Sequence, residues 1–356
     1  MLCSRRSLLA GAALTPWLVR RALGAPRLAA LAQARGLLFG TMMTADYLDE
    51  ADLSAVIAEQ CDLIVPGIEL KWRWSEPTPG NFDFAAADRL ASFAIRNNMK
   101  FRGHCMVWHE SLPTGFDYSM SRDRAIAAMQ SHIRGLAGHY RGNVLAWDVV
   151  NECINPPDGL PDGLRETPWW EMIGPDYIDI AYHTAHAADP AAKLVINEFG
   201  LDYDTAEHAQ RRASMLSLLT ALTARGVPVQ VLGIQGHLRP GLEPFAADIF
   251  RDFIRAVGGL GLEVWITELD VIDRYLPAGI AARDQAAAGA VAEYLGAALA
   301  EPNVKVVSLW GMSDRHSWVS DNADTKRGDG LASRPLPYDS AMRAKPMLDA
   351  IERVLA

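Results

Sequence analysis

Short apolar runs alternate with longer segments of helical periodicity along the chain. The apolar runs predict eight strands: Leu37–Thr41, Asp62–Pro66, Lys100–Met106, Val144–Val149, Lys193–Asn197, Val229–Gln235, Glu263–Thr267 and Lys305–Trp310. Strands that alternate with helices favour a parallel sheet, and eight right-handed strand–helix units close into a barrel. The sequence therefore predicts an α/β protein folded as a single (β/α)8 TIM barrel, for which 356 residues is an ordinary length.

Polar and aromatic side chains gather where the later predicted strands end. In chain order they are His104, Trp108, Asn151, Glu152, Asn197, Glu198, Gln235, His237, Glu268, Asp270, Trp310 and Trp318. A TIM barrel carries its functional residues at the carboxyl ends of its strands and fills the rest of its interior with apolar side chains. We therefore expect Glu152 and Glu268 to face each other across the mouth of the barrel.

Two carboxylates beside a rim of tryptophans indicate chemistry on sugars. Glycosidic bonds are cleaved by a pair of Asp or Glu residues, one acting as an acid and the other as a nucleophile or base. The two must titrate differently, so one is kept protonated by its surroundings and the other is ionised. A separation of about 5 Å between the carboxyl groups would mean a retaining mechanism.

Sequence neighbours favour different roles for the two glutamates. Asp270 follows Glu268 at i+2, and a His237 held by Asp270 would keep Glu268 ionised, as a nucleophile requires. Glu152 has no cationic neighbour in its own run and is the better acid/base. Asn151 is expected to contact the hydroxyl next to the reacting carbon, where hydrogen bonds strengthen in the transition state.

Two further tryptophans lie close to the glutamates but are predicted to be structural. Trp147 precedes Glu152 by five residues and Trp265 precedes Glu268 by three. In a regular strand an odd offset places two side chains on opposite faces. Metal ligation by the histidines of the rim is disfavoured, because tryptophans and amides crowd the same region.

Six groups of residues occur in order between Phe39-Gly40 and Lys345-Pro346. They are Lys71-Trp72 with Glu76-Pro77 and Gly80-Asn81-Phe82-Asp83-Phe84; Gly103-His104 with Val107-Trp108-His109; Trp147 to Glu152; Gly233 to Leu238; Ile266 to Asp270; and Trp310-Gly311 through Ser317-Trp318. Together they resemble the family-10 glycoside hydrolases, the xylanases. The resemblance implies a retaining mechanism with Glu152 as acid/base and Glu268 as nucleophile. It also implies that donor-side sugar subsites are lined by Lys71, His104, Trp108, Asn151, Gln235, His237, Trp310 and Trp318.

The chain departs from the family pattern in two places. After the proline of the second strand the family usually has Glu-Asn, where this chain has Gly67-Ile68, so weaker binding of distal sugars is expected. After the fifth strand, Phe199-Gly200 stands where a tyrosine and an asparagine are frequent. Phe199 packs but donates no hydrogen bond, which puts acceptor-side binding in question. Glu198 is interpreted as a charge on a loop.

The N-terminal sequence predicts an export signal that is not part of the folded domain. Ser4-Arg5-Arg6-Ser7-Leu8-Leu9 opens an apolar segment that is followed by the small residues Gly24-Ala25-Pro26. A basic start with this order resembles a bacterial twin-arginine signal over residues 1–25, which leaves residues 26–356 as the catalytic domain. We therefore expect an exported protein, periplasmic or extracellular.

Charge limits the classes of binding partner, and cysteine content limits the possible disulfide bonds. A net charge of −9 and a pI near 5.5 disfavour nucleic acid and anionic membranes. Neither a cofactor nor a metal is expected, and the protein is expected to be a monomer. Cys61, Cys105 and Cys153 remain after the signal; buried thiols are favoured, with a Cys105–Cys153 bridge as the alternative.

These features predict a secreted retaining endo-1,4-β-xylanase that acts on xylan or xylo-oligosaccharides through a covalent glycosyl-enzyme. One alternative is a β-glucan or aryl-cellobioside hydrolase on the same scaffold. Another is a non-catalytic glycan-binding barrel, which the presence of both Glu152 and Glu268 disfavours because a binding protein has no need of two differently tuned carboxylates.

Overall fold

The structure is a computed structural model that describes residues 27–356. Its strands are β1 (Leu38–Met43), β2 (Leu63–Pro66), β3 (Lys100–Gly103), β4 (Ala146–Asn151), β5 (Lys193–Glu198), β6 (Val231–Ile234), β7 (His237–Leu238), β8 (Glu263–Val271) and β9 (Val304–Leu309). Its helices are α1 (Leu28–Ala34), α2 (Ala51–Gln60), α3 (Trp72–Ser75), α4 (Ala85–Arg96), α5 (Arg122–His139), α6 (Pro168–Ile173), α7 (Tyr177–Ala188), α8 (Ala206–Ala224), α9 (Ala247–Gly259), α10 (Ile280–Ala298), α11 (Trp318–Asp321) and α12 (Pro346–Leu355). The predicted export signal lies outside the described residues.

The sheet is parallel and closes on itself. Its strands follow the order β6-β5-β4-β3-β2-β1-β9-β8, and β6 also pairs with β8. First and last barrel strands meet with Thr41 opposite Leu309. The two-residue β7 extends the edge of β8 at the mouth, where His237 lies opposite Asp270. The predicted single (β/α)8 barrel is confirmed.

The predicted ends of β3 and β8 differ most from the structure. β3 stops at Gly103 instead of Met106, and the chain beyond it makes only an isolated bridge from Val107 to β4. β8 continues past the predicted end at Thr267, because its last residues pair with both β7 and β9. Within β8 the register shifts between Ile266 and Leu269, so the regular alternation of side chains is broken beside Glu268.

Six strands contribute to a small apolar cluster in the barrel interior beneath the mouth. This inner cluster consists of Leu63, Ala146, Val195, Val231, Trp265 and Val306. Trp265 is 2% exposed and therefore structural, as predicted. Its predicted position on the face opposite Glu268 is wrong, because the register shift in β8 lets both side chains point inward.

Trp147 packs on the outside of the barrel. Its ring lies 6.1 Å from that of Tyr140, the residue that follows α5, and its side chain is fully buried. A Cβ atom at position 103 would lie 2.1 Å from this ring, so Gly103 on β3 makes room for the indole. The predicted structural role of Trp147 is confirmed.

The thiols of Cys61, Cys105 and Cys153 are free and buried, so the alternative of a Cys105–Cys153 bridge is wrong.

Among residues 27–356, no helix combines the length and the apolar character needed to cross a bilayer. Within the same range, no group of three or more His, Cys, Asp or Glu residues is placed to hold a metal ion.

Candidate active site

A cleft of about 400 Å³ opens at the mouth of the barrel, where the carboxyl ends of the strands meet. It is lined by Lys71, His104, Trp108, Glu110, Asn151, Glu152, Phe199, Gly200, Asp202, Glu207, His208, Gln235, His237, Arg239, Glu268, Trp310, Trp318 and Asn322. All of the predicted site residues except Asp270 belong to this lining. Asp270 is 1% exposed and lies directly behind His237.

Glu152 follows β4 directly, where that strand opens into the cleft. Its backbone has a φ of 59°, a left-handed conformation that costs a non-glycine residue about 1–2 kcal/mol. The indole Nε1 of Trp108 donates to Oε2 at 2.9 Å, and the amide Nε2 of Gln235 donates to Oε1 at 2.9 Å. Both donors are uncharged groups, which suits a carboxyl that must give up and regain a proton.

Asn197, near the end of β5, connects the surroundings of the two glutamates. Its Nδ2 donates to Asn151 Oδ1 at 2.9 Å and to Glu268 Oε1 at 2.7 Å. Its Oδ1 accepts from Thr267 Oγ1 at 2.7 Å. A Cβ atom at position 233 would lie 2.3 Å from that oxygen, so Gly233 on β6 leaves the space the amide occupies. In the sequence, Asn197 is apparent only as a polar residue at a strand end.

Glu268 is held by a histidine that is itself held by a second carboxylate. His237 Nε2 lies 3.4 Å from Glu268 Oε2, and His237 Nδ1 lies 2.8 Å from Asp270 Oδ1. Trp318 Nε1 donates to the other Asp270 oxygen at 2.6 Å. This is the arrangement predicted from the i+2 spacing of Glu268 and Asp270.

The three side chains Glu268, His237 and Asp270 lie in a row, and its electrostatics keep Glu268 ionised. Burial opposes the charge on Glu268, but the hydrogen bond from His237 and the charge of nearby His104 outweigh it and lower the pKa of Glu268 to about 2. Burial likewise disfavours the cationic form of His237, yet Asp270 and Glu268 together raise the pKa of His237 to about 10. At neutral pH the row therefore holds a cation between two carboxylates.

A buried ion pair that sequence reasoning missed supports the floor of the cleft. Arg102 on β3 donates Nε and Nη2 to the two oxygens of Asp148 on β4, at 2.9 and 2.5 Å. Asp148 Oδ2 also lies 2.7 Å from His104 Nδ1, which orients that ring toward the cleft. Both members of the pair are 0% exposed. The available signal was a charge of each sign inside apolar strand runs, since buried charges are paired.

Aromatic side chains form the walls of the cleft. The rings of Trp310 and His104 meet edge to face with centres 5.3 Å apart. Trp310 packs on an apolar cluster that also contacts Trp318. Lys71 Nζ lies 4.7 Å from the ring centre of Trp108, within the range of a cation–π contact. The cleft thus combines flat apolar faces with polar donors, the combination that sugars bind.

The interpretation of Glu198 as a loop charge is wrong. Glu198 is the last residue of β5 and is 0% exposed. Its Oε1 accepts from Arg211 Nη2 at 2.7 Å and its Oε2 from the backbone N–H of Ile154 at 2.8 Å. Burial raises the pKa of Glu198 to about 7, although the charge of Arg211 acts in the opposite direction. An acidic residue at a strand end can thus be buried between the sheet and a helix when an arginine of that helix contacts it.

The two departures from the family pattern have structural consequences. A Cβ atom at position 67 would lie 2.7 Å from Met42 Sδ, so Gly67 is closely packed, whereas Ile68 is 37% exposed. Phe199 lines the cleft, and the guanidinium carbon of Arg211 lies 4.2 Å from its ring centre. Weaker binding of distal sugars at Gly67-Ile68 and altered acceptor binding at Phe199 stay predictions.

Comparison with known proteins covers nearly the whole described chain. A model of the family described as Glycosyl hydrolase family 10 matches residues 27–354. The protein named "Endo-1,4-beta-xylanase 5" of Pyricularia oryzae is 34% identical over 338 residues, which span 94% of this chain and 79% of that protein. The protein named "Endo-1,4-beta-xylanase A" of Phanerodontia chrysosporium is 34% identical over 332 residues, which span 91% and 76% respectively.

Solved structures share the same architecture. Xylanase 10B from Thermotoga maritima superposes with a TM-score of 0.83 at 28% identity and covers 93% of this chain and 98% of its own. Xylanase 10B from Thermotoga petrophila, solved in complex with xylobiose, gives a TM-score of 0.83 at 28% identity and covers 93% and 97%.

Proposed function

The chain belongs to glycosyl hydrolase family 10, and from this membership we propose that it is a retaining endo-1,4-β-xylanase acting on xylan or xylo-oligosaccharides. One observation carries the proposal: a single cleft holds Glu152 between uncharged donors and Glu268 against a cationic histidine. A retaining glycosidase needs this difference, because one carboxyl must donate a proton while the other attacks. Similarity to proteins named as endo-1,4-beta-xylanases supports the choice of substrate.

In the first step, Glu268 attacks the anomeric carbon of the donor sugar. The bond from that carbon to the bridging oxygen breaks, and Glu152 gives its proton to the departing oxygen. A covalent ester between Glu268 and the donor sugar remains. The low pKa of Glu268 keeps the nucleophile ionised across the working pH range. Asn151 offers a hydrogen bond to the hydroxyl next to the reacting carbon.

In the second step, a water molecule attacks the same carbon from the side that the leaving group vacated. Glu152, now ionised, takes a proton from that water, and the bond to Glu268 breaks. Two inversions give a product with the configuration of the substrate. His237 supports both steps, because its cationic ring stabilises the charge on Glu268 before the ester forms and after it breaks, and Asp270 keeps that ring cationic.

We assign binding of the polysaccharide to the cleft residues that were identified from the sequence. Lys71, His104 and Gln235 supply hydrogen bonds to hydroxyls. Trp310 and Trp318 supply apolar faces for the pyranose rings. Xylose lacks the exocyclic hydroxymethyl group of glucose, so indole walls close to the donor sugar favour xylan over β-glucan by excluding that group.

Hydrolysis of defined polymers by the purified protein tests the proposal. We expect reducing sugar to be released from soluble xylan about 10-fold or more faster than from β-glucan, the discrimination that one additional carbon in a pocket can give. Early products observed by NMR should have the β configuration. A preference for β-glucan or aryl cellobiosides would favour the alternative hydrolase. Xylan binding without any release would favour a glycan-binding barrel.

Replacement of His237 by asparagine is expected to shift the acid limb of the pH–rate profile upward. Glu268 then loses its strongest favourable contact, and burial raises its pKa, so a higher pH is needed to ionise the nucleophile. A hydrogen bond to a charged group contributes about 1.5–3 kcal/mol, equivalent to about one to two pH units. The measurement is kcat/KM against pH with an activated aryl β-xylobioside, which needs no proton from Glu152.

The Asp270→Asn variant provides a second arm of this experiment. It removes the carboxylate that raises the pKa of His237 the most, so the histidine loses its charge at a lower pH. At the pH of the acid limb the histidine is still protonated in this variant, so the acid limb should not move upward; with the activated substrate, the alkaline limb should move downward instead. An acid limb that stays where it is in His237→Asn would refute the proposed support of Glu268.

We further propose that the protein is exported through its twin-arginine segment and acts as a monomer. The support is the sequence Arg5-Arg6 followed by an apolar run and small residues. In a bacterial host that exports folded proteins by this route, Arg5→Lys with Arg6→Lys should leave the protein in the cytoplasm. Activity assays of separated periplasm, medium and cytoplasm measure this, and light scattering measures the mass in solution.

A further inference from the structure

Glu198 closes a buried hydrogen-bond network directly behind the segment that begins with Glu152. Its Oε1 accepts from Arg211 Nη2 at 2.7 Å and from the backbone N–H of Phe199 at 3.1 Å. Its Oε2 accepts from the backbone N–H of Ile154 at 2.8 Å. Glu198 is 0% exposed and does not line the cleft. The proposed mechanism assigns no role to this carboxylate.

The segment from Glu152 to Ile154 is held from two sides. On one side Arg165 donates Nε to the carbonyl oxygen of Glu152 at 2.7 Å and Nη2 to that of Ile154 at 3.4 Å. On the other side Glu198 accepts from the N–H of Ile154. Glu152 has a φ of 59°, which a non-glycine residue keeps only where its surroundings enforce it. The side chains of Arg165 and Glu198 are part of that enforcement.

We propose that Glu198 is a positioning residue for the acid/base, which it acts on through the backbone of Ile154. By fixing the position of that N–H, it sets where the carboxyl of Glu152 lies relative to the departing oxygen. Arg211 is its counter-ion and holds the other carboxylate oxygen in place. This inference rests on the proposed role of Glu152 in the xylanase reaction.

The site requires a carboxylate because donors face both oxygens. The amide of a Glu198→Gln variant has the same size but only one oxygen, so its N–H2 group must face either Ile154 N–H or the guanidinium of Arg211. In both cases a buried donor loses its acceptor. The volume of the core is unchanged, whereas the hold on the segment that carries Glu152 is weakened.

The dependence of rate on the leaving group tests the proposal. We expect Glu198→Gln to lower kcat/KM about 10- to 100-fold for xylan and for aryl β-xylobiosides with weakly acidic phenols, the size of effect a misplaced catalytic group produces. For the most acidic phenols, which depart without a proton, the loss should stay within about 3-fold. The plot of log(kcat/KM) against phenol pKa therefore steepens. A purely structural defect would lower every rate by the same factor.

A matched control removes a buried carboxylate elsewhere. Glu301, at the opposite end of the barrel before β9, is 5% exposed and accepts from Arg251 at 3.0 Å and Arg255 at 2.8 Å. Glu301→Gln should leave the leaving-group dependence as in the wild type. Circular dichroism verifies that each variant is folded.

A second variant keeps the proposal testable if Glu198→Gln does not fold. Glu198→Asp retains a carboxyl group beside Arg211 but is one methylene too short to reach Ile154 as well, so the plot should steepen here too. A folded variant with an unchanged slope overturns the inference. A wild-type protein that is inactive on all these substrates contradicts the proposed function. An active wild type whose Glu198 variants keep the wild-type slope contradicts this inference alone.

Discussion

The Glu268→Ala variant is expected to lose hydrolysis of xylan by roughly 10⁵-fold in kcat, in the range found when a covalent nucleophile is removed. Without this carboxylate no glycosyl-enzyme forms, so the loss should be equally large for activated and poor leaving groups. Initial rates on xylan and on an activated aryl β-xylobioside measure it. A 2-deoxy-2-fluoro xylobioside should label the wild-type protein on the peptide that contains Glu268.

The matched control lies on the same strand. Glu263 begins β8 at the opposite end of the barrel, where Lys193 Nζ lies 2.5 Å from its carboxylate. Glu263→Gln removes a carboxylate from β8 without touching the cleft and should keep kcat within a factor of about 2 of the wild type. If Glu268→Ala retains more than about one part in a thousand of the activity, its assignment as nucleophile is wrong.

In the Glu152→Ala variant, the loss of rate is expected to depend on the leaving group of the substrate. Hydrolysis of xylan should fall roughly 10³- to 10⁴-fold, because an alkoxide departs poorly without a proton and general acid catalysis contributes about this much. With a strongly acidic phenol as leaving group, the first step should proceed at nearly the wild-type rate, and the glycosyl-enzyme should accumulate as a burst. Stopped-flow absorbance of the released phenol measures both phases.

Azide provides the decisive second observation for this variant. A small anion can enter the space left by the Glu152 side chain and attack the glycosyl-enzyme without general base help, giving a β-xylobiosyl azide and a higher turnover rate. Glu166→Ala, at an exposed position on the loop after β4, should respond to azide as the wild type does. Absence of both the burst and the azide product would remove Glu152 from the acid/base role.

The barrel and the two glutamates of the cleft were predictable from the sequence because local signals indicate them. Lining residues such as Asp202, His208 and Arg239 were not. An apolar run that ends in a polar pair marks Glu152, and the spacing of Glu268 and Asp270 pointed to His237 between them. Carboxyl ends of parallel strands share one edge of a sheet, so these residues meet whatever the lengths of the connecting loops.

The support behind the cleft was not predictable in the same way, because it depends on contacts between distant positions. Arg102 and Asp148 are 46 residues apart, and no sequence feature near either residue indicates that they form a pair. From the sequence Glu198 is expected to be exposed, because its buried partner Arg211 lies on the following helix and no local pattern connects the two. The face of Trp265 was wrong because a register shift in β8 breaks the alternation on which the prediction relied.

The amide of Asn197 fixes the direction of a hydrogen-bond chain before any sugar arrives. Thr267 donates to its oxygen, and its nitrogen donates to Asn151 Oδ1 and to Glu268. Because the oxygen of Asn151 is already engaged, its N–H2 group is the part left to face the cleft. The sugar hydroxyl at this point must therefore act as an acceptor toward Asn151, and its own proton is free to point at Glu268. A fluorine or ether oxygen there can still accept, but it loses the bond to the nucleophile.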